Sequence, residues 1–258
     1  MTGASAPNEH SGADDRGSGG PVGSGGSAGP DRSEANGRRS WLLAIDTATS
    51  RVVVAAAALD GTPLAVSTWE AGRTHGAQLL PAIGRLTGEA NLRRSRIRGV
   101  IVGTGPGAFT GLRVGIATAK ALAHELGVPI VGVSTGAALL AASGAGPNGL
   151  LLLPAGPNDR LAVRAGTAPV LLPGGTEPVV RPDEVLIALD LDDRAPAEAV
   201  ARGLVARSGF AEALVGLGAA RLAAGDADDL ARLVPEYVSL PRGVERESGE
   251  VAWSRDRR

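Results

Sequence analysis

The strongest constraint in this chain is the order in which strand-like and helix-like stretches follow one another after residue 40. Trp41-Leu42-Leu43-Ala44-Ile45-Asp46 is a short apolar run closed by a carboxylate, the pattern of a buried strand. A second strand, Arg51 to Leu59, opens on three valines. It is followed by Asp60-Gly61, a strong hairpin signal, and a third strand from Pro63 to Trp69. From His75 to about Ala90 the period changes: Leu79, Ile83, Leu86 and Ala90 recur at helical spacing. Gly99 to Gly103 then reads as a strand, Phe109 to Leu126 as a helix stopped by Gly127-Val128-Pro129, and Ile130 to Val133 as a strand. Ser134 caps a third helix. The resulting β-β-β-α-β-α-β-α order is neither a doubly wound nucleotide fold nor a simple sandwich.

Composition sets the outer limits of this unit. Twenty of the first 40 residues are Gly, Ser or Pro and Val22 is the lone branched aliphatic, so residues 1–40 are expected to be a disordered tail. The remaining residues are enough for a sizeable core. From about Gly149 strands are expected at Leu150 to Leu153, Arg160 to Arg164 and Val170 to Leu172. Ala-rich helices are expected at Ala197 to Ala206 and Phe210 to Ala224. The organisation expected is a first lobe over 41–145, a degenerate second copy over 146–240, and a frayed C-terminal tail over 241–258. Strand and helix order together match the unit shared by actins, sugar kinases and Hsp70 ATPases. The fold class expected is thus an actin-like α/β fold of two lobes, each a mixed sheet flanked by helices, the second one trimmed.

Several chemistries are excluded by what is missing. There is no Cys, which removes thiol nucleophiles, disulfides and Cys-ligated zinc. Lys120, the one lysine, lies between two alanines, so the Gly-Lys-Ser/Thr end of a P-loop cannot be formed. His10, His75 and His124 are too few and too far apart for a His-rich metal centre, and six aromatics are too sparse for base-stacking platforms. With a net charge of −1 the whole chain is not an electrostatic nucleic-acid binder. No apolar run reaches membrane-spanning length and no export signal opens the chain, so a cytoplasmic protein is expected, with no membrane role.

Two segments could carry ligand chemistry. Asp46-Thr47-Ala48-Thr49 sits at the turn where actin-like phosphotransferases place an Asp-x-Gly-Thr loop, but Ala48 occupies the glycine position; the plain alternative is that Asp46 and Thr47 hydrogen-bond the turn. Gly103 to Gly115 is a glycine loop leading into a helix N-terminus, where Gly105, Gly107 and Thr110 could face an anion. Gly111, Gly115 and Ala119 recur every four residues, a row that in a soluble protein more often serves tight packing. Arg93, Arg94, Arg96 and Arg98 form a basic run with two readings, a solvated turn before a strand or a contact to nucleic-acid phosphate.

Taken in order and spacing, Ile45-Asp46-Thr47-Ala48-Thr49, His75-Gly76-Ala77-Gln78-Leu79-Leu80-Pro81 and Gly105-Pro106-Gly107-Ala108-Phe109-Thr110-Gly111-Leu112-Arg113-Val114-Gly115 resemble the TsaB (YeaZ-type) family. The resemblance covers roughly Trp41 to Ala145, and Pro235-Glu236-Tyr237 is similar to a Pro-x-Tyr element near that family's C-terminus. Between them, Pro154 to Arg160 departs from the family pattern. The resemblance implies a non-catalytic subunit for making N6-threonylcarbamoyladenosine (t6A) beside the anticodon of tRNA. Such a subunit activates a TsaD-type catalytic subunit alongside a TsaE-type ATPase, meets tRNA through the complex, and pairs with a second copy when alone. It implies no catalytic residue, no metal and no cofactor, with Asp46, Thr47, Gly105, Gly107 and Thr110 as vestigial phosphate loops. It also implies a partner face on the two first-lobe helices, assigned to Leu79, Ile83, Leu86, Leu112, Ile116 and Ala119. The same six residues also fit plain core positions. An actin-like ATP-dependent phosphotransferase and a glycoprotease-like peptidase are the competing readings.

Overall fold

A computed structural model describes residues 39–71, 75–238, 244–247 and 250–253, with side chains described from 39 to 238 apart from His75. The tail expected over 1–40 lies almost wholly outside the described residues; of the one expected over 241–258, residues 244–247 and 250–253 are described. Eleven strands and four longer helices are described. Their order begins β1 (Trp41–Asp46), β2 (Arg51–Ala57), β3 (Pro63–Glu70), α1 (His75–Glu89), β4 (Ile97–Gly105), α2 (Phe109–Leu126), β5 (Ile130–Ser134) and α3 (Thr135–Ala142). This is the order read from the sequence. β2 ends two residues early because Ala58 and Thr62 close the turn with a 2.8 Å hydrogen bond, and Gly61 takes φ +88° within it. α2 stops at Gly127, which adopts φ +61°, while the Val128 N–H donates back to the Ala123 carbonyl. Ser134 caps α3 by accepting from the Ala137 N–H.

The first sheet has the order β3-β2-β1-β4-β5, an antiparallel meander extended by two parallel strands. Period-two alternation divides its side chains. Trp41, Leu43, Ile45, Val52, Val54, Val100 and Val102 meet α1 and α2 on one face. Leu42, Ala44, Val53, Ala55, Ile101 and Val131 meet α3 and the last helix on the other.

The second half comprises β6 (Gly149–Pro154), β7 (Arg160–Arg164), β8 (Val170–Leu172), β9 (Val185–Ala188) and α4 (Ala197–Ala223); a hairpin of β10 (Val244–Glu247) and β11 (Glu250–Trp253) follows. Its sheet runs β8-β7-β6-β9, with β6 and β9 parallel and the other pairs antiparallel. That is the first sheet's arrangement without its last strand. The crossover before β9 is a loop held by arginines: Arg160 donates to the carbonyls of Thr176 and Arg194, and Arg164 to Val179 and the Glu184 carboxylate. The molecule is therefore an actin-like α/β fold with a trimmed second sheet. Leu151, Leu153, Leu161, Val163 and Ile187 join the core that holds Leu42 and Ile101, with Leu139, Phe210, Leu214 and Val215 of α3 and α4 among them.

Two expectations for this half are corrected. The separate helices at Ala197 to Ala206 and Phe210 to Ala224 are one continuous helix, because Gly209 sits against Ala142 of α3 and needs no break to do so. β9 is an additional strand: the apolar run from Val185 follows a turn at Pro182-Asp183, a strand signal that the sequence expectations did not include.

Candidate functional site

The turn after β1 and the glycine loop after β4 are packed into each other. Asp46, fully buried, receives hydrogen bonds from the Ala48 N–H at 2.9 Å and from the Thr135 hydroxyl at 2.6 Å. Burial pushes its carboxyl up to about 6, against the smaller downward pull of those two hydrogen bonds. Thr47 donates its hydroxyl to the Gly111 carbonyl at 2.7 Å, and the Ala108 N–H donates to the Ala48 carbonyl at 2.7 Å. The Gly105 N–H donates to the Thr135 hydroxyl oxygen, and Gly105 takes φ +104° before a cis bond to Pro106.

The glycines allow this contact. A Cβ on Gly107 would overlap the Ala48 carbonyl, one on Gly111 the Thr47 carbonyl, one on Gly115 the Thr47 hydroxyl, and one on Gly103 the Asp46 carboxylate. The Gly111–Gly115 row is a close-packing ridge whose neighbour is the β1–β2 turn. Of the residues assigned to vestigial phosphate loops, Asp46 and Thr47 are buried, Gly105 and Gly107 line the junction, and Thr110 lies exposed at the start of α2. Ala48 occupies the space beside Gly107, and the N–H groups of Gly105 and Ala108 are already engaged by this chain.

Beside the junction lies a cleft of about 510 Å3 whose walls include Ser50, Phe109, Asp190, Glu236 and Tyr237. Phe109 and Tyr237 rings lie 5.2 Å apart, and the Arg113 guanidinium sits 5.1 Å from the Phe109 ring centre. Glu236 faces the Ser134 hydroxyl at 3.3 Å; partial burial raises its carboxyl above the usual range. Asp190 accepts from the Ser50 N–H and pairs with Arg207. The sequence reading assigned no role to Thr135, Asp190 or Glu236. The signals present were Thr135's place directly after the Ser134 cap and Glu236's place inside the Pro-x-Tyr element. Lys120 donates to the Leu233 carbonyl at 3.3 Å, tying α2 to the segment that leads there.

The six residues assigned to a partner face are all buried in this chain's own core, none more than 6% exposed. They meet the first sheet, so the outward sides of α1 and α2 carry different residues. On α1 these include Ala77, Leu80, Pro81, Arg85 and Gly88; on α2, Arg113, Ala117 and Ala121. Leu80 is 57% exposed. Among the described residues no helix is long and apolar enough to cross a membrane, and no three His, Cys, Asp or Glu are grouped as metal ligands.

Comparison with known proteins locates this arrangement. Residues 68–172 match the family model described as TsaD, tRNA N6-adenosine threonylcarbamoyltransferase. The chain is 33% identical over 110 residues to the tRNA threonylcarbamoyladenosine biosynthesis protein TsaB of Bacillus subtilis, covering 43% of this chain and 47% of that one. It is 38% identical over 94 residues to TsaB of Escherichia coli, covering 36% and 40%. An uncharacterized protein of Mycobacterium leprae is 43% identical over 97 residues, 36% of this chain and 27% of that one. The chain thus spans between about a quarter and half of the length of these curated relatives. Among solved structures, YeaZ from Pseudomonas aeruginosa superposes with a TM-score of 0.55 at 26% identity, covering 77% of this chain and all of that one. The aligned TsaB sequences and the YeaZ-like fold point the same way: the chain is similar to the TsaB (YeaZ-type) family in sequence over its first half and in fold over most of its length.

Proposed function

We propose that this chain works in t6A biosynthesis on tRNA as a non-catalytic subunit that docks on a TsaD-type catalytic subunit and activates it. A TsaE-type ATPase completes the assembly, and tRNA is met through the complex. The observation that carries the reading is the mutual closure of the two loops: Ala48 and Thr47 fill the ground over Gly107, Gly111 and Gly115 where a nucleotide phosphate would need backbone access. The same closure gives no support to an ATP-dependent phosphotransferase. Of the hydroxyl–carboxylate pairs among the described residues, Thr135–Asp46 is fully buried and Ser134–Glu236 is tied to the cap of α3, so neither lends support to a peptidase.

The docking face is the outward side of α1 and α2. Its small residues, Ala77, Gly88, Ala117 and Ala121, let a partner helix approach closely, and Leu80 supplies an apolar anchor. In the absence of a partner the same face pairs two copies of the chain. Leu79, Ile83, Leu86, Leu112, Ile116 and Ala119 act from beneath by fixing both helices on the sheet.

The test is co-purification with a TsaD-type subunit, comparing the unaltered chain with Leu80→Asp and Ala117→Asp. Both sites are exposed, so both variants are expected to keep the unaltered chain's thermal midpoint. Each is expected to weaken association by at least about 2 kcal/mol, roughly thirtyfold in Kd. The t6A content of tRNA should fall in cells that rely on the variant. Full recovery of the partner with both variants would overturn the docking face; normal t6A in cells depleted of the chain would overturn the function.

A further inference from the structure

We propose that the turn joining α1 to β4 is an RNA-binding surface, with Arg93, Arg94, Arg96 and Arg98 contacting the phosphate backbone of the tRNA. The inference rests on the t6A reading, which makes tRNA the polyanion at hand. Between Gly84 and Arg98 the chain has five arginines, Arg85 included, and one carboxylate, Glu89. All five arginines are exposed. Elsewhere the arginines are largely engaged by acids: Arg51 with Glu70, Arg164 with Glu184, Arg202 with Glu198, Arg207 with Asp190, and Arg221 with Asp226 and Asp228. Among the described residues none of the five forms an ion pair. Among the described residues this turn therefore holds the densest run of positive charge outside any ion pair, in a chain of net charge −1.

The turn that carries these side chains is held firmly. Buried Leu92 and Ile97 bracket it, and Arg94–Arg96 form a 3-10 turn in which the Arg96 N–H donates to the Arg93 carbonyl at 2.9 Å. The Trp41 indole N–H donates to the same carbonyl at 3.0 Å. The Arg94 guanidinium lies over Gly84, 3.7 Å from where a Cβ would sit, which joins the turn to the end of α1. Arg98 donates to the Ser95 and Ile97 carbonyls. A fixed backbone presenting several guanidiniums suits bidentate contact to successive phosphates, with less ordering entropy lost on binding. An anionic membrane would match the charge but not the surface: the apolar residues of the turn, Leu92 and Ile97, are buried, so nothing is available to insert between lipids.

The experiment measures binding of a fluorescent tRNA transcript to the full chain by anisotropy across a salt series. Arg94→Glu with Arg96→Glu is compared with a charge-matched control, Arg181→Glu with Arg202→Glu, on the second half of the chain. At about 50 mM salt the patch variant is expected to bind at least about tenfold more weakly, and its log–log salt slope to be shallower by roughly 1 to 2, because two phosphate contacts are lost. The control should bind as the unaltered chain does. Equal binding by the patch variant, equal weakening by the control, no tRNA binding by the unaltered chain, or binding to phosphatidylserine vesicles as tight as to tRNA would each overturn the proposal. Recovery of the TsaD-type partner is measured on the same samples. A patch variant that keeps its partner but loses tRNA separates this surface from the docking face, and unchanged tRNA binding in a chain that still restores t6A removes this inference alone.

Discussion

Gly111→Ala is expected to destabilise the fold by about 3 kcal/mol, the upper part of the range for overpacking a close-packed site. The added methyl would overlap the carbonyl oxygen of Thr47, a backbone atom in a turn that cannot swing away. That turn is held by Asp46 accepting from the Ala48 N–H, by Ala48 accepting from the Ala108 N–H, and by Thr47 donating to the Gly111 carbonyl itself. Relief therefore requires α2 to move off the sheet, which opens the packing of Leu112 and Ile116 beneath it. Gly88→Ala provides the contrast. Gly88 lies near the end of α1 with no atom within 4 Å of the new methyl and no positive φ, so this change is expected to stabilise by up to about 1 kcal/mol through helix propensity. Urea midpoints of the two variants at matched m-values check the pair. A Gly111→Ala midpoint equal to that of the unaltered chain would mean that the turn is not seated on the glycine ridge.

The first half of the fold was legible because each local signal agreed with the tertiary arrangement. The apolar alternation of Trp41 to Ile45 is divided between two cores, Asp60-Gly61 forms a turn, and Gly127 ends α2 in the left-handed conformation. In the second half signals and structure part company. A helix would be expected before β9 if that half repeated the first in full, yet the loop there depends on the long-range bonds of Arg160 and Arg164. No window of sequence shows such bonds. The 27-residue α4 has Gly203 pressed against the Ala188 carbonyl and Gly209 against Ala142, so glycines that look like breaks are contact points.

The site shows the same division. That glycine spacing serves close packing was readable from Gly111, Gly115 and Ala119. The neighbour they pack against was not, because Thr47 is 64 residues from Gly111. Periodicity found the stripe of Leu79, Ile83 and Leu86 correctly, but a stripe of that width faces one way, and here it faces the chain's own sheet. The outward face sets small residues and one exposed leucine among arginines, a pattern that hydrophobic periodicity does not register.

Replacing Asp46 by Asn is expected to raise stability at pH 7 relative to pH 4. In the unaltered chain the buried carboxyl titrates at about 6, while in the unfolded chain it titrates near 3.8. A carboxyl raised on folding favours the folded state most when it is protonated. Its contribution is complete only below about pH 3, is lost as the pH rises through about 6, and amounts to about 3 kcal/mol at full extent. The amide introduced by Asp46→Asn would stay neutral throughout, with its carbonyl accepting from the Ala48 N–H and its NH2 donating to the Thr135 hydroxyl oxygen. The stability difference between Asp46→Asn and the unaltered chain should therefore shift toward the variant by about 2.5 kcal/mol between pH 4 and 7. Taking that difference cancels carboxylates of opposite sign, such as Glu184, which its hydrogen bond from Arg164 holds down at about 2. A difference constant to within about 0.5 kcal/mol over that window would show that the carboxyl is not desolvated in the folded chain. The effect also bears on function. A carboxylate retained for a phosphate-bound metal would have to be open to a ligand, whereas Asp46 is fully buried and both its oxygens accept hydrogen bonds from the chain itself.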